Sequence, residues 1–378
     1  MRFLHLSDLH LGKRVYGFSM LEEQRDALAQ VERIAGEREV DAIVVAGDVY
    51  DKGVPPTEAV ELLDRFWTRL LAMGVQVLAI SGNHDSPERL SFAQDILAVS
   101  GLHVAGVQGG QVRRVRLSDA WGPVDFYLLP FVRPARVAAL YPQVQIANAD
   151  DAVRALLRGA QREAGVRSVL IAHQLVLAPG EEVERCDSET VQIGGTDGVF
   201  VDAFDDFDYV ALGHLHRAQR VGRDTVRYAG SPLKYSFSEA RGNKSVTLVE
   251  LDAEGVRTQL LPLTPLRDLR DLRGPLRAIL EAADGPSEDY VRAVLTDEGP
   301  VYDAVGQLRR VYPNVMTIEF ERNAPVQAQA ALHTADVRGR TPMELFEDFY
   351  RRQTGKPLDD GAYQAVQAAV EGAQEEEA

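Results

Sequence analysis

The stretch Ala42-Ile43-Val44-Val45-Ala46-Gly47-Asp48-Val49-Tyr50-Asp51 decides how this chain is read. An apolar run of strand type passes straight into a Gly-Asp turn, as when a buried strand delivers polar side chains at its carboxyl end. The layout recurs along the chain. Residues 2–6 lead to Asp8-Leu9-His10, residues 77–80 to Gly82-Asn83-His84-Asp85, residues 169–171 to Ala172-His173, and residues 209–212 to Gly213-His214-Leu215-His216. In an open α/β sheet, ligands bind beyond the carboxyl ends of the strands, so these motifs can converge on one crevice. Asp, Asn and His are the side chains that share hard-to-borderline cations such as manganese. Taken singly, Asp-x-His or Gly-Asp is equally a turn signal, and His173 equally a core histidine. Taken together, with His10, His84, His173, His214 and His216 all at strand ends, they point to a dinuclear metal hydrolase. His5, His103 and His333 lie outside the pattern.

A length of 378 residues allows two or three units, one with a large core. The single Cys186 excludes an internal disulfide, has no second Cys for a zinc site, and fits a reducing cytosol, so a cytoplasmic location is expected. No signal peptide is expected ahead of the first strand, and no apolar run reaches membrane-spanning length, so no membrane partner is expected. The net charge of −16 argues at first against nucleic acid. Part of that excess is local, in residues 180–189 and in Glu375-Glu376-Glu377, and metal-binding carboxylates count as negative until cations neutralise them. Arg113, Arg114 and Arg116, or Arg133 and Arg136, can form a basic patch; a solvated face is an equal reading for either.

Residues 1–262 alternate strand and helix patterns, the signature of an α/β layered sheet. Helices are expected over 20–38, over 57–73 with Thr57 as N-cap and Gly74 as terminator, and from Ser86-Pro87-Glu88 to Val99. Strands near 226–229 and 245–251 close the unit. Pro262, Pro265 and the charged stretch 267–273 read as a linker. Beyond it, a helix near 275–283, a strand at 290–296, a helix at 301–311 and a strand at 314–321 read as a small α+β unit. Thr341-Pro342-Met343-Glu344 opens a helix whose Leu345, Phe346, Phe349 and Tyr350 gather on one face, and a second helix is expected near 360–372. So short a hairpin needs a partner surface to cover that face.

The segments His5-Leu6-Ser7-Asp8-Leu9-His10-Leu11-Gly12-Lys13, Ala46-Gly47-Asp48-Val49-Tyr50-Asp51, Ser81-Gly82-Asn83-His84-Asp85-Ser86-Pro87-Glu88-Arg89, Gly213-His214-Leu215-His216 and Tyr228-Ala229-Gly230-Ser231-Pro232-Leu233-Lys234-Tyr235-Ser236-Phe237 resemble the SbcD family of bacterial nuclease subunits. That family lies within the calcineurin-like metallophosphoesterases and is the counterpart of the Mre-type repair nucleases. The resemblance implies a β-sandwich flanked by helices, with a small α+β cap and C-terminal helices. The implied divisions are a nuclease domain at 1–264, a DNA-facing cap at 265–335 and a helical ATPase-binding segment with an acidic tail at 336–378.

Carried over by position, the resemblance implies two divalent cations, manganese above all. Asp8, His10, Asp48 and His216 would hold one, and Asp48, Asn83, His173 and His214 the other, with Asp48 bridging. His84 would face the phosphate as charge stabiliser or proton donor, with Asp85 orienting its ring or capping the helix beside Ser86. Asp51 and Arg89 are supporting candidates. The implied activity is a DNA exonuclease and endonuclease acting on ends and hairpins in double-strand-break repair. The implied partners are DNA, an SbcC-type ABC ATPase with a coiled coil, and a second copy of the chain within a heterotetramer, through helices at 57–73 and 87–99. A small-molecule phosphodiesterase or phosphatase of the same superfamily is the alternative. A non-catalytic scaffold would require a broken ligand set, and every expected ligand is present.

Overall fold

The strand run Ala42–Ala46 is buried at every position, because both faces of its sheet are covered. The structure is a computed structural model. It describes residues 1–189 and 198–321, then positions 341, 343, 346–347, 350–351, 357–358, 363–364 and 366–367. The strands of the two large sheets are β1 (Arg2–Leu6), β2 (Ala42–Ala46), β3 (Gln76–Ile80), β4 (Leu102–Ala105), β5 (Arg113–Asp119), β6 (Gly122–Leu129), β7 (Arg167–His173), β8 (Tyr209–Gly213), β9 (Gln219–Val221), β10 (Arg223–Tyr228), β11 (Lys244–Asp252) and β12 (Gly255–Leu263).

They form two six-stranded sheets, ordered β12-β11-β1-β2-β3-β4 and β9-β10-β8-β7-β6-β5. Strands β1 to β4 run parallel, as do β6, β7, β8 and β10, so the loops that leave β1, β2, β3, β7 and β8 emerge at carboxyl ends. Phe3, Leu78, Ile80, Phe126, Leu128, Ile171, Tyr209 and Val249 fill the space between the sheets. Phe3 meets Phe126 and Tyr209 edge-on at 5.6 and 5.7 Å, the arrangement ring quadrupoles favour. His5, which the motif pattern leaves out, ties the sheets together: its ring nitrogens lie 3.0 Å from Tyr209 Oη and 3.1 Å from the Leu212 carbonyl.

Helices cover the outer faces. Helix α1 (Leu21–Glu37) buries Leu28, Val31 and Ile34, and α2 (Thr57–Ala72) buries Leu62, Leu63, Phe66 and Leu70 against the first sheet. Helix α3 (Ala149–Arg158) covers the second sheet with Val153 and Leu156; its N-cap Asn148 accepts from Asp151 N at 2.8 Å. Thr57, expected as the N-cap of α2, is its first helical residue; Pro56 holds the cap position with extended backbone. Gly74 ends that helix as expected, at φ 80°. The helix expected from 86 to 99 is two short ones, Pro87–Leu90 and Gln94–Ala98, separated at Ala93 with φ 57°. Of its apolar residues Leu90 and Leu97 reach the core, while Phe92, Ile96 and Val99 are exposed, so packing does not hold one long helix there.

A three-stranded parallel sheet follows, Leu269–Gly274, Tyr290–Leu295 and Val315–Phe320, with helices Leu276–Glu281 and Ala304–Arg309 between the strands. Its first strand is the charged stretch read as a linker. Only Leu269 and Leu272 turn inward there, while Asp271 pairs with Arg292 opposite it on the neighbouring strand at 2.7 Å, so an edge strand reads as charged coil. Residues 1–297 and 301–320 form one compact unit. Leu269 and Tyr290 share a cluster with Val15, Met20, Ala27, Leu233, Tyr235 and Phe237, and Tyr290 Oη donates to Glu23 at 2.8 Å. A second unit takes in residues 321–378. The aromatic face expected there falls partly outside the described residues, among which the Phe346 and Tyr350 rings stack at 6.5 Å; Leu345, Phe349 and the helix near 360–372 fall wholly or largely outside them.

Because the small sheet shares that cluster with the sandwich, residues 1–320 should unfold in one transition. Leu269→Ala should cost roughly 2–5 kcal/mol in chemical denaturation, the range for truncating a buried leucine. A loss below about 0.5 kcal/mol, or an early separate transition, would show the small sheet to be independent.

Candidate metal centre

The backbone sets this site before any side chain does. The loop after β1 and the loop after β2 are joined by Asp8 N to Gly47 O at 3.1 Å, His10 N to Asp48 O at 2.9 Å and Leu11 N to Val49 O at 3.0 Å. Asp8, His10, Asp48 and His214 all have positive φ, at 53, 44, 47 and 112°. Such backbone costs on the order of 1–3 kcal/mol per residue and persists where the surroundings over-determine it. Two glycines allow the close packing. A Cβ at Gly47 would lie 2.3 Å from His173 Nδ1, and one at Gly82 would lie 2.1 Å from Asp48 Oδ1.

Asp48 sits at the centre, 2% exposed. Its Oδ2 lies 3.6 Å from His10 Nε2 and 3.5 Å from His173 Nε2, and its Oδ1 accepts the His84 N–H at 2.9 Å. Asn83 Oδ1 lies 3.0 Å from His173 Nε2 and 3.3 Å from His214 Nδ1. Both Asp8 oxygens lie 3.2 Å from the His214 N–H, and His10 Nε2 faces His216 Nε2 at 3.2 Å. Among the described residues, His and carboxylate ligand atoms close enough to share an ion occur in three overlapping groups: Asp8, His10 and His216; Asp8, Asp48 and His173; His10, Asp48 and His84. The structure thus brings together all nine residues expected at the site.

The proton positions show why cations fit. His173 Nδ1 is 2.8 Å from the Ala46 carbonyl, which can only accept, so Nδ1 carries the proton. In the neutral ring the lone pair of Nε2 would then meet the oxygens of Asn83 and Asp48, acceptor against acceptor, a conflict that without a cation a second proton on Nε2 relieves. A bound divalent cation would satisfy all three. Burial pushes the Asp8 carboxyl up to about 7. Burial would also raise Asp48, but His173, then His10 and His84, hold it well below the usual carboxylate range. His173 rises to about 9: burial opposes this, and the charges of Asp48 and Asp8 outweigh it. Burial carries His214 down to about 3 and His216 down to about 4.

Two details differ from the sequence reading. The Asp85 carboxylate is engaged by backbone, accepting from Val49 N at 3.1 Å, Tyr50 N at 2.8 Å and Gly82 N at 2.9 Å, so it clasps the β2 and β3 loops together. The His84 ring places Nδ1 3.1 Å from the Asp51 carbonyl. Asp51 also takes Lys13 Nζ at 2.7 Å. Sequence reasoning missed Gln24, whose amide donates to the His10 carbonyl at 2.7 Å while its oxygen accepts from Gly12 N at 3.0 Å. It also missed Ser188, Glu189, Glu239 and Lys244 around His216; Glu239 lies just past the Gly-Ser-Pro-Leu segment, the nearest signal to it. Of the proposed basic patches, Arg114 and Arg116 pair with Asp125 at 3.6 and 2.6 Å, and Arg113 with Asp95 at 3.6 Å. Arg133 and Arg136 are exposed.

A sequence profile described as calcineurin-like phosphoesterase matches residues 1–218. The chain belongs to that family. A second profile, described as the Type 5 capsule protein repressor C-terminal domain, matches residues 265–354. Along nearly its whole length the chain is similar to a Staphylococcus epidermidis protein named as the D subunit of nuclease SbcCD, 28% identical over 380 residues that cover 95% of each chain. A Staphylococcus saprophyticus protein of the same name is 27% identical over 367 residues, 95% of this chain and 94% of its own. As a calcineurin-like phosphoesterase the chain is a metal-dependent phosphodiesterase, with the layered α/β fold of that family.

Binding a divalent cation at this set must displace the protons held by Asp8 and His173. Affinity for Mn2+ should therefore rise from pH 6 to pH 9 and fall as acid restores those protons. Calorimetry in buffers of different ionisation enthalpy reads both the affinity and the protons released. A pH-independent affinity without proton release would contradict the assignment.

Proposed function

We propose that the chain is a manganese-dependent DNA exonuclease and endonuclease that processes ends and hairpins in double-strand-break repair, acting with an SbcC-type ATPase. The observation that carries this reading is the buried Asp48 carboxylate between two histidine nitrogens, with Asn83 beside His173 and His214 and with Asp8 and His216 beside His10. In this reading Asp8, His10, Asp48 and His216 hold one cation, Asp48, Asn83, His173 and His214 the second, and Asp48 bridges. Cations held there would supply Lewis-acid polarisation of a phosphodiester and a lowered pKa for the attacking water.

The other tasks fall to the protein. His84 is placed by its N–H on Asp48 and by Nδ1 at the Asp51 carbonyl, and we assign its Nε2 to the phosphate, where it stabilises charge or protonates the leaving oxygen. Asp85 serves by holding the two loops that carry Asp48 and His84 in register. The similarity to the staphylococcal SbcCD nuclease proteins supports DNA as substrate and an ATPase partner, since it extends through the small sheet and beyond. The exposed Val60, Phe92, Ile96 and Val99, on or beside α2 and the broken helix after β3, support a second copy of the chain as partner. Among the described residues no helix is long and apolar enough to cross a membrane.

Asp48→Ala should abolish hydrolysis and lower occupancy at both cation positions, because one carboxylate serves both. Metal analysis that still found two tightly bound ions would remove the bridging role. His84→Ala should keep both ions yet lose roughly 10²-fold or more in turnover. Departure of a metal with the ring would make His84 a ligand, as its closeness to His10 and Asp48 permits. The substrate is tested with Mn2+ on single-stranded, duplex and hairpin DNA beside a small phosphodiester. Hydrolysis of the small ester alone would turn the reading to a small-molecule phosphodiesterase.

A further inference from the structure

His216 is anchored on the side away from the proposed cation by groups that lie far from the metal motifs in sequence. Ser188 Oγ is 2.8 Å from His216 Nδ1 and donates its proton to Glu239 Oε1, also at 2.8 Å. A hydroxyl has one proton to give. With that proton on Glu239, the hydroxyl accepts from His216, so Nδ1 carries the hydrogen and Nε2 keeps its lone pair. That Nε2 is the nitrogen 3.2 Å from His10 Nε2.

Glu239 is only 3% exposed and held from several sides. Its Oε1 also accepts from Tyr235 N and Ser236 Oγ, each at 3.1 Å, and its Oε2 pairs with Lys244 Nζ at 2.5 Å. Lys244 Nζ reaches the His216 carbonyl at 2.8 Å and Ser231 Oγ at 2.8 Å, and Glu189 Oε1 accepts the His216 N–H at 2.7 Å. One buried ion pair therefore fixes the backbone of His216 and, through Ser188, its ring. Metal-bound histidines characteristically give their second N–H to such a partner, which sets the tautomer and aims the ligating nitrogen.

We infer that Ser188 and Glu239 are positioning residues that hold His216 in the Nδ1–H tautomer, with Nε2 presented to a divalent cation. The inference rests on the metal reading above. A purely structural role for Glu239 would also account for its burial, but it would not require the Ser188 hydroxyl, which takes no part in the Lys244 pair.

The test uses the full chain, with Mn2+ alone as the probe. Long-range nitrogen–proton correlation on the metal-free protein should show His216 as the Nδ1–H tautomer, and Ser188→Ala should lose that signature. In calorimetry the wild type should bind two ions. Ser188→Ala should weaken one of them roughly 10–100-fold and leave the other and the melting temperature unchanged. Ser188→Thr, which keeps the hydroxyl, should restore both readouts. Glu239→Gln, which keeps an acceptor oxygen but loses the charge, should fall between wild type and Ser188→Ala. Wild-type tautomer and wild-type affinities in Ser188→Ala would overturn the positioning role while leaving the metal reading intact. A wild type that binds no Mn2+ would overturn the metal reading and this inference with it.

Discussion

The carboxylate of Asp48 is the constraint on which the rest of the structure depends. It is buried where the two sheets meet, close to Asp8 and ringed by His10, His84 and His173. Two buried carboxylates this close cannot both be charged without compensation. The protein therefore surrounds them with imidazoles, and the ligand atoms face one another so that either protons or shared cations must lie between them. For those atoms to meet, β2 of one sheet must end against β7 and β8 of the other. The packing of Phe3, Phe126, Ile171 and Tyr209 between the sheets maintains that alignment.

Holding the loops in this shape costs backbone strain, and the compensation is spread widely. Left-handed backbone at Asp8, His10, Asp48 and His214 is kept in place by Asp85 clasping two loops, by Gln24 on the His10 carbonyl, and by the Glu239–Lys244 pair behind His216. Most of these supports are buried polar groups with several partners each. Groups of that kind are costly when half-satisfied and rigid when complete, which is the property a metal site needs. The small parallel sheet is packed on the same scaffold through Leu269 and Tyr290.

The negative charge of the chain gains meaning from the same geometry. Arg113, Arg114 and Arg116, which looked available for phosphate in the sequence, are engaged with acids around the β5 edge. Arg133 and Arg136 remain exposed. Divalent cations held at the Asp48 site would themselves offset the negative charge around it.

The sequence by itself determined the donor types and their delivery. Apolar runs that end in Asp-x-His, Gly-Asp or Gly-Asn-His-Asp specify buried parallel strands with ligands at the carboxyl end, because pleat, burial and turn chemistry are all local. It also marked α1, α2 and the strands of the small unit after residue 289, whose apolar periodicity is plain. Only the tertiary structure decided which nitrogen of each histidine faces the site, and that Asp85 serves backbone amides. It likewise decided that Ser188 and Glu239 stand behind His216, that 269–274 is an edge strand and that the helix after Ser86 breaks at Ala93. These outcomes rest on partners distant in the chain, as with Tyr290 on Glu23 or His173 on Ala46. A hydrogen bond between such groups leaves no periodicity in either segment, so it becomes legible only when the sheets bring the two together.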